Sequence, residues 1–176
     1  MDNQLINIPK ILLMGPGPSC VSESVYKALA KPTLGHLDPS FIDIMDDIKE
    51  FLKKLMGTEN QLTVPISGTG SAGMETCFVN LIEPEDKVLI LINGVFGMRM
   101  EDVANRLGAE VDCLKFEWGN VVDIDIVRKK LLEIQYDLVA VVHAETSTGV
   151  CNPVDEIGRL VKENGALYLV DCVTSM

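Results

Sequence analysis

Beyond residue 60 the chain alternates between short apolar runs and longer stretches whose apolar residues recur every three or four positions. The runs KVLILI, DLVAVV and ALYLV are apolar almost throughout, which suits strands covered on both faces in a mostly parallel sheet. Strands are therefore predicted at about 62–66, 87–92, 110–115, 138–142 and 166–170. Helices are predicted between them at about 71–82, 97–107, 123–134 and 154–163. The third of these sets Ile124, Val127, Leu131 and Ile134 on one side, as an amphipathic crossover should. This strict alternation predicts an α/β fold, a mostly parallel sheet with flanking helices.

The first sixty residues read differently. Residues 1–21 are irregular, because Pro9 and the run Gly15-Pro16-Gly17-Pro18 cannot enter a helix or a central strand. A helical region over 22–60 follows, with helices at about 22–30 and 39–56. The second places Ile44, Ile48, Phe51, Leu52 and Leu55 on one face and ends at Gly57, a residue suited to a left-handed cap.

At 176 residues the chain can bury a sizeable core without staples. Its five cysteines, Cys20, Cys77, Cys113, Cys151 and Cys172, show no C-x-x-C spacing and lie apart from His36 and His143. Neither a disulfide framework nor a zinc site is expected, and several of these thiols are expected to be buried small hydrophobes. The 26 acidic and 15 basic residues give a net charge of −11 with no Lys/Arg-rich block, so nucleic acid and anionic membrane are poor partners. No signal peptide or bilayer-spanning run stands out, and a cytoplasmic, reducing setting is expected.

In an open α/β sheet, ligands collect beyond the carboxyl ends of the strands. Four clusters fall there: Ser67–Ser71, Asn93–Phe96, His143–Gly149 and Asp171–Ser175. The first contains GTGSAG, Gly68–Gly73, which matches the dinucleotide fingerprint G-x-G-x-x-G. The next strand, however, ends in Asn93-Gly94 rather than in the acid a ribose requires. The glycines and hydroxyls before a helix fit a phosphate cradle instead, since unpaired N–H groups and the helix dipole both favour an anion.

Asp171, at the end of the last strand, either caps the following turn or meets a cation such as a protonated pyridine nitrogen. Phe96 is either core or a ring-stacking residue. Thr146, Ser147 and Thr148 form a turn or offer hydroxyls to a ligand. A phosphate cradle, an aromatic ring, a hydroxyl cluster and a carboxylate after different strands together describe pyridoxal 5'-phosphate.

GPGPS (Gly15–Ser19), ISGTGSAGME (Ile66–Glu75), NGVFG (Asn93–Gly97), HAETSTGV (His143–Val150) and LVDCVTS (Leu169–Ser175) carry a resemblance. The chain resembles the N-terminal portion of the class V, fold-type-I aminotransferases, most closely the alanine–glyoxylate and serine–pyruvate group. The resemblance makes residues 61–176 the N-terminal part of the large cofactor domain. It implies that Thr69, Gly70 and Ser71 hold the phosphate, and that Phe96 lies on the pyridine ring. It further implies that Thr146 contacts cofactor or substrate, that Asp171 is the catalytic partner of the ring nitrogen, and that Val173 borders the cofactor. Gly17 and Gly35 match segments that border the substrate near a dimer partner. Many relatives carry Trp or His in place of Phe96, and often His in place of Ser71.

The resemblance implies transamination between a small amino acid, alanine or serine, and a 2-oxo acid, glyoxylate or pyruvate, in a homodimer. Transfer between 2-aminoethylphosphonate and pyruvate, or the chemistry of another class V enzyme, is the alternative within the class; cysteine desulfurases share the fold. In these families a lysine downstream of the strand-terminal Asp carries the cofactor, yet no lysine follows Asp171. Lys10, beside the GPGP run, reads as a surface lysine. The chain is therefore expected to be a fragment of a longer enzyme; a non-catalytic ligand-binding or interaction module, or a dinucleotide-binding Rossmann domain, is the alternative of another class.

Overall fold

The computed structural model describes residues 8–176. They divide into two compact units, the first ending at Thr63 and the second spanning Val64–Met176. The expected irregular segment lies partly in residues 1–7, outside the described residues.

The first unit holds α1 (Glu23–Leu29) and α2 (Pro39–Met56). Local chemistry sets the bounds of α2. The Asp38 side chain accepts a hydrogen bond from the Ser40 N–H at 2.8 Å, and Pro39 occupies the first turn, where its missing donor removes nothing. Gly57 closes the helix at φ 62° while Gly57 and Thr58 donate to the carbonyls of Lys54 and Lys53, a left-handed cap that favours glycine. The apolar stripe exists, but Ile44, Phe51 and Leu55 on it are exposed.

In the second unit α3 (Gly70–Leu81) leads into β1 (Lys87–Ile92), α4 (Val95–Arg106), β2 (Glu110–Lys115), α5 (Ile124–Glu133) and β3 (Leu138–Val142). A two-stranded antiparallel hairpin follows, β4 (Ala144–Glu145) and β5 (Val150–Cys151), then α6 (Val154–Asn164) and β6 (Leu167–Asp171). The four longer strands form one parallel sheet in the order β2-β1-β3-β6. Alternate residues of β1 feed two cores. Val88, Ile90 and Ile92 pack with Phe78 of α3 and Met100 of α4. Leu89 and Leu91 pack with Val127 of α5 and Ile157 of α6. Covering on both faces is why these runs are uniformly apolar.

The chain leaves β1 to one side for β2, then crosses to the other side for β3. The carboxyl ends of β1 and β3 therefore flank a topological switch point, where open α/β sheets form their crevice.

Two sequence expectations are corrected. Residues 62–66 form no strand; a strand exists only through a ladder, no described neighbour pairs with this segment, and Pro65 lacks a donor. None of the five cysteines is buried: Cys20, Cys77 and Cys151 are exposed, and Cys113 and Cys172 are half-buried. Cys113 lies on β2, the sheet's outer strand, where partial burial pushes its thiol up to about 12. Every cysteine is a free thiol.

Candidate active site

The phosphate-cradle residues open α3. Thr69 is its N-cap, with its hydroxyl 3.4 Å from the Ala72 N–H and its carbonyl accepting from Ala72 and Gly73. The N–H groups of Gly70 and Ser71 make no hydrogen bond among the described residues, as expected of the first positions of a helix. Gly70 lies against the side chain of Val173: a Cβ added to Gly70 would fall 2.6 Å from Val173 Cγ2. The start of α3 and the segment after β6, far apart in sequence, thus meet at one end of the sheet.

Asp171 closes β6 beside Val142, and its carbonyl accepts from the His143 N–H at 2.8 Å. Its Oδ1 accepts from the Val173 N–H at 3.1 Å, so the turn-capping role is realised. Oδ2 has no partner among the described residues, and the side chain is half-buried. Capping therefore occupies one oxygen of the carboxylate and leaves the other open.

The hydroxyl cluster sits in the turn between β4 and β5, and its members divide. Thr148 Oγ1 donates to the Asn93 carbonyl at 3.1 Å and Ser147 Oγ donates to Glu145 at 2.6 Å. Thr146, half-buried, makes no side-chain hydrogen bond among the described residues and is the hydroxyl left for a ligand. Asn93 is committed as well. It is 1 % exposed and bonds to the Asn120 carbonyl and the Asn152 amide. Phe96, in the first turn of α4, is 38 % exposed, so the core reading of this ring fails. Gly17 and Gly35 belong to the first unit, where a Cβ on either would meet nothing within 4 Å.

Glu145 was not singled out by sequence reasoning. It is fully buried, and its carboxylate accepts from the backbone N–H groups of Phe96, Gly97 and Ser147 and from Ser147 Oγ. Ser147 Oγ in turn accepts from the Val95 N–H at 2.9 Å. All three leading N–H groups of α4 are thereby satisfied. The signal for this role is a Glu-x-Ser pair just after a strand, which without the fold reads as an ordinary polar turn. With α4 closed by Glu145 and α5 capped by Asp123, the start of α3 retains uncommitted donors for an anion.

GTGSAG lacks its dinucleotide context, because among the described residues no strand precedes it and a Cβ on Gly73 would meet nothing within 4 Å. In the dinucleotide fold that third glycine serves close helix–strand packing. A cleft of about 480 Å³ opens at the opposite, amino ends of the strands, lined by Lys87, Glu110, Val111, Asp112, Ile134 and Tyr136. Asp112 in it is already paired. Lys130 Nζ lies 2.8 Å from Asp112, and the Tyr136 hydroxyl donates to Asp112 at 2.5 Å. The Lys130 ammonium, then that hydroxyl, hold the Asp112 carboxyl below its usual range, while burial and then Asp112 raise the Tyr136 phenol. Among the described residues no group of acids, cysteines and histidines could hold a metal ion, and no helix is long and apolar enough to cross a membrane.

The profile of the family described as "Aminotransferase class-V" matches residues 21–176. The (S)-ureidoglycine--glyoxylate transaminase of Bacillus subtilis (strain 168) is 39 % identical over 96 % of this chain and 40 % of its own length. The alanine--glyoxylate aminotransferase of Rattus norvegicus is 37 % identical over 97 % of this chain and 41 % of its own. The crystal structure of an alanine--glyoxylate aminotransferase from Nostoc sp. superposes with a TM-score of 0.94 at 43 % identity, covering 99 % of this chain and 46 % of that one. The chain thus spans less than half the length of each of these relatives.

Proposed function

Because the chain belongs to the class V aminotransferase family, we propose that the whole protein is an aminotransferase passing an amino group from alanine or serine to glyoxylate or pyruvate. The family depends on pyridoxal 5'-phosphate, and the residues present fit that group. The observation that carries this reading is the apposition of Gly70 and Val173. It brings the uncommitted N–H groups of α3 beside the strand end that presents Asp171.

The donors and acceptors left open match the three parts of such a cofactor. Gly70 and Ser71 offer N–H groups, and Thr69 a hydroxyl, to a phosphate. Phe96 offers an exposed ring face to a flat heterocycle. Asp171 Oδ2 offers a negative acceptor to a protonated ring nitrogen, and Thr146 a hydroxyl to cofactor or substrate. When bound, the cofactor acts as an electron sink that eases removal of the proton beside the amino group. Asp171 supports that role by holding the ring nitrogen's proton. Val173 fixes the level of Asp171 through its N–H and buttresses Gly70 through its side chain.

All three relatives named above carry glyoxylate in their names, which favours glyoxylate as acceptor. The lysine that carries the cofactor belongs, in this reading, to sequence beyond Asp171 in the full-length protein. A cytoplasmic homodimer is part of the proposal. Five free thiols support a reducing compartment, and the exposed stripe of α2 supports a partner surface.

The test is made on the full-length protein. Purified with pyridoxal 5'-phosphate, it is expected to hold the cofactor and to convert glyoxylate to glycine with alanine or serine as donor. Absence of both cofactor absorbance and amino transfer would overturn the reading.

A further inference from the structure

We propose that Glu145 is a positioning residue, which with Ser147 clamps the first turn of α4 and so holds the ring of Phe96 in place for the cofactor. The inference rests on the proposed reading of the site and extends it to a residue that reading leaves without a role.

A fully buried carboxylate is unfavourable unless donors surround it. Glu145 meets that need with four donors, two of which are the N–H groups of Phe96 and Gly97, both at 3.2 Å from Oε2. The other oxygen takes the Ser147 N–H at 3.3 Å and its hydroxyl at 2.6 Å. Since Ser147 Oγ also accepts from Val95, three consecutive backbone donors of α4 are tied to one hairpin turn. The positive end of the helix and the carboxylate attract one another. The fit leaves no slack, because a Cβ on Gly94 would collide with the Glu145 side chain and a Cβ on Gly97 would lie 3.1 Å from Ile92 Cα. Phe96 itself is exposed on one side, so packing alone does not fix its backbone. The clamp fixes it, and Thr146, one residue from Glu145, is carried on the same turn.

The test titrates the cofactor-free full-length protein with pyridoxal 5'-phosphate. Glu145→Gln keeps the shape but sets an amide N–H₂ against a donor, and charged hydrogen bonds of this kind correspond to about a tenfold loss of cofactor affinity. The visible circular dichroism of the bound cofactor should weaken as it does in Phe96→Ala. In a Phe96→Ala background, Glu145→Gln should cause no further loss beyond about twofold, since coupled residues are not additive. Ser147→Ala provides a gentler second variant, expected to lose about threefold and to show the same coupling. Equal losses with and without Phe96, or no loss in either variant, would overturn the proposal. If Phe96→Ala alone left both affinity and dichroism unchanged, the stacking role would fail and the clamp's function with it, a result distinct from additivity.

Discussion

Asn93 and Asn152, 59 residues apart, exchange side-chain hydrogen bonds in both directions, at 2.8 and 3.2 Å. Asn93 follows β1 directly, and Asn152 follows the hairpin after β3, so the pair spans the switch point. Asn152 also donates to the Val142 carbonyl and accepts from the Val122 N–H. Asn152→Ala leaves several buried groups unpaired and is expected to lower stability by about 3 kcal/mol. Denaturant unfolding of the full-length protein measures it, and a loss below about 1 kcal/mol would show the pair to be dispensable.

Gly70→Ala tests the meeting of α3 with β6. The added Cβ would lie 2.6 Å from Val173 Cγ2, so overpacking is expected to lower stability by about 1–3 kcal/mol and to weaken cofactor binding. Adding Val173→Ala removes the obstructing methyls and should restore both. Thermal melting with a cofactor titration checks it, and failure of the rescue would break the link.

Asp171→Asn keeps the capping oxygen but removes the charge. In the full-length protein it is expected to retain cofactor while turnover falls by about a hundredfold or more. Steady-state kinetics beside absorbance of bound cofactor separate the two effects. Unchanged turnover would remove Asp171 from the chemistry.

Asp112 gives a pH dependence far from the site. Lys130 and Tyr136 hold its carboxyl below the usual value in the folded state, so the unfolded chain takes up a proton there first. The stabilisation is complete above the unfolded value of about 4 and is lost as pH falls through the folded value. Because Asp112 is nearly half exposed, solvent screening limits the effect to about 1 kcal/mol. The melting difference between wild type and Asp112→Asn should be present at pH 6 and vanish in acid; a difference that persists in acid would contradict the pairing.

The strands were legible chiefly where a run was apolar on both faces. Lys87–Ile92 and Leu138–Val142 stand where the pattern puts them, as does the more polar Glu110–Lys115, and Leu167–Asp171 is displaced by one residue. The same rule misled at residues 62–66, since β-branched residues signal a strand only if a neighbour is present to pair. The hairpin at Ala144–Cys151 escaped notice because two-residue strands carry no period.

At the site, Asp171 and Phe96 stand at or just after strand ends as the pattern puts them, whereas the Thr69–Ser71 turn opens α3 without the strand expected before it. Glu145 was not, because a glutamate among threonines and serines reads as solvated. Its burial depends on donors almost fifty residues earlier in the chain. The cysteines failed for a related reason: Cys113 sits in a strand, but that strand is outermost.

The strand order has a consequence for biosynthesis. β1, the first strand among the described residues, ends as an interior strand, and Leu138–Val142 must be translated before its second edge is sealed. During that interval Val88–Ile92 is a naked, uncharged, β-prone segment of the kind that seeds aggregation. Glu85, Asp86 and Lys87 immediately upstream act as charged gatekeepers, so neutralising them should lower soluble yield in the cell while leaving the finished fold almost unchanged.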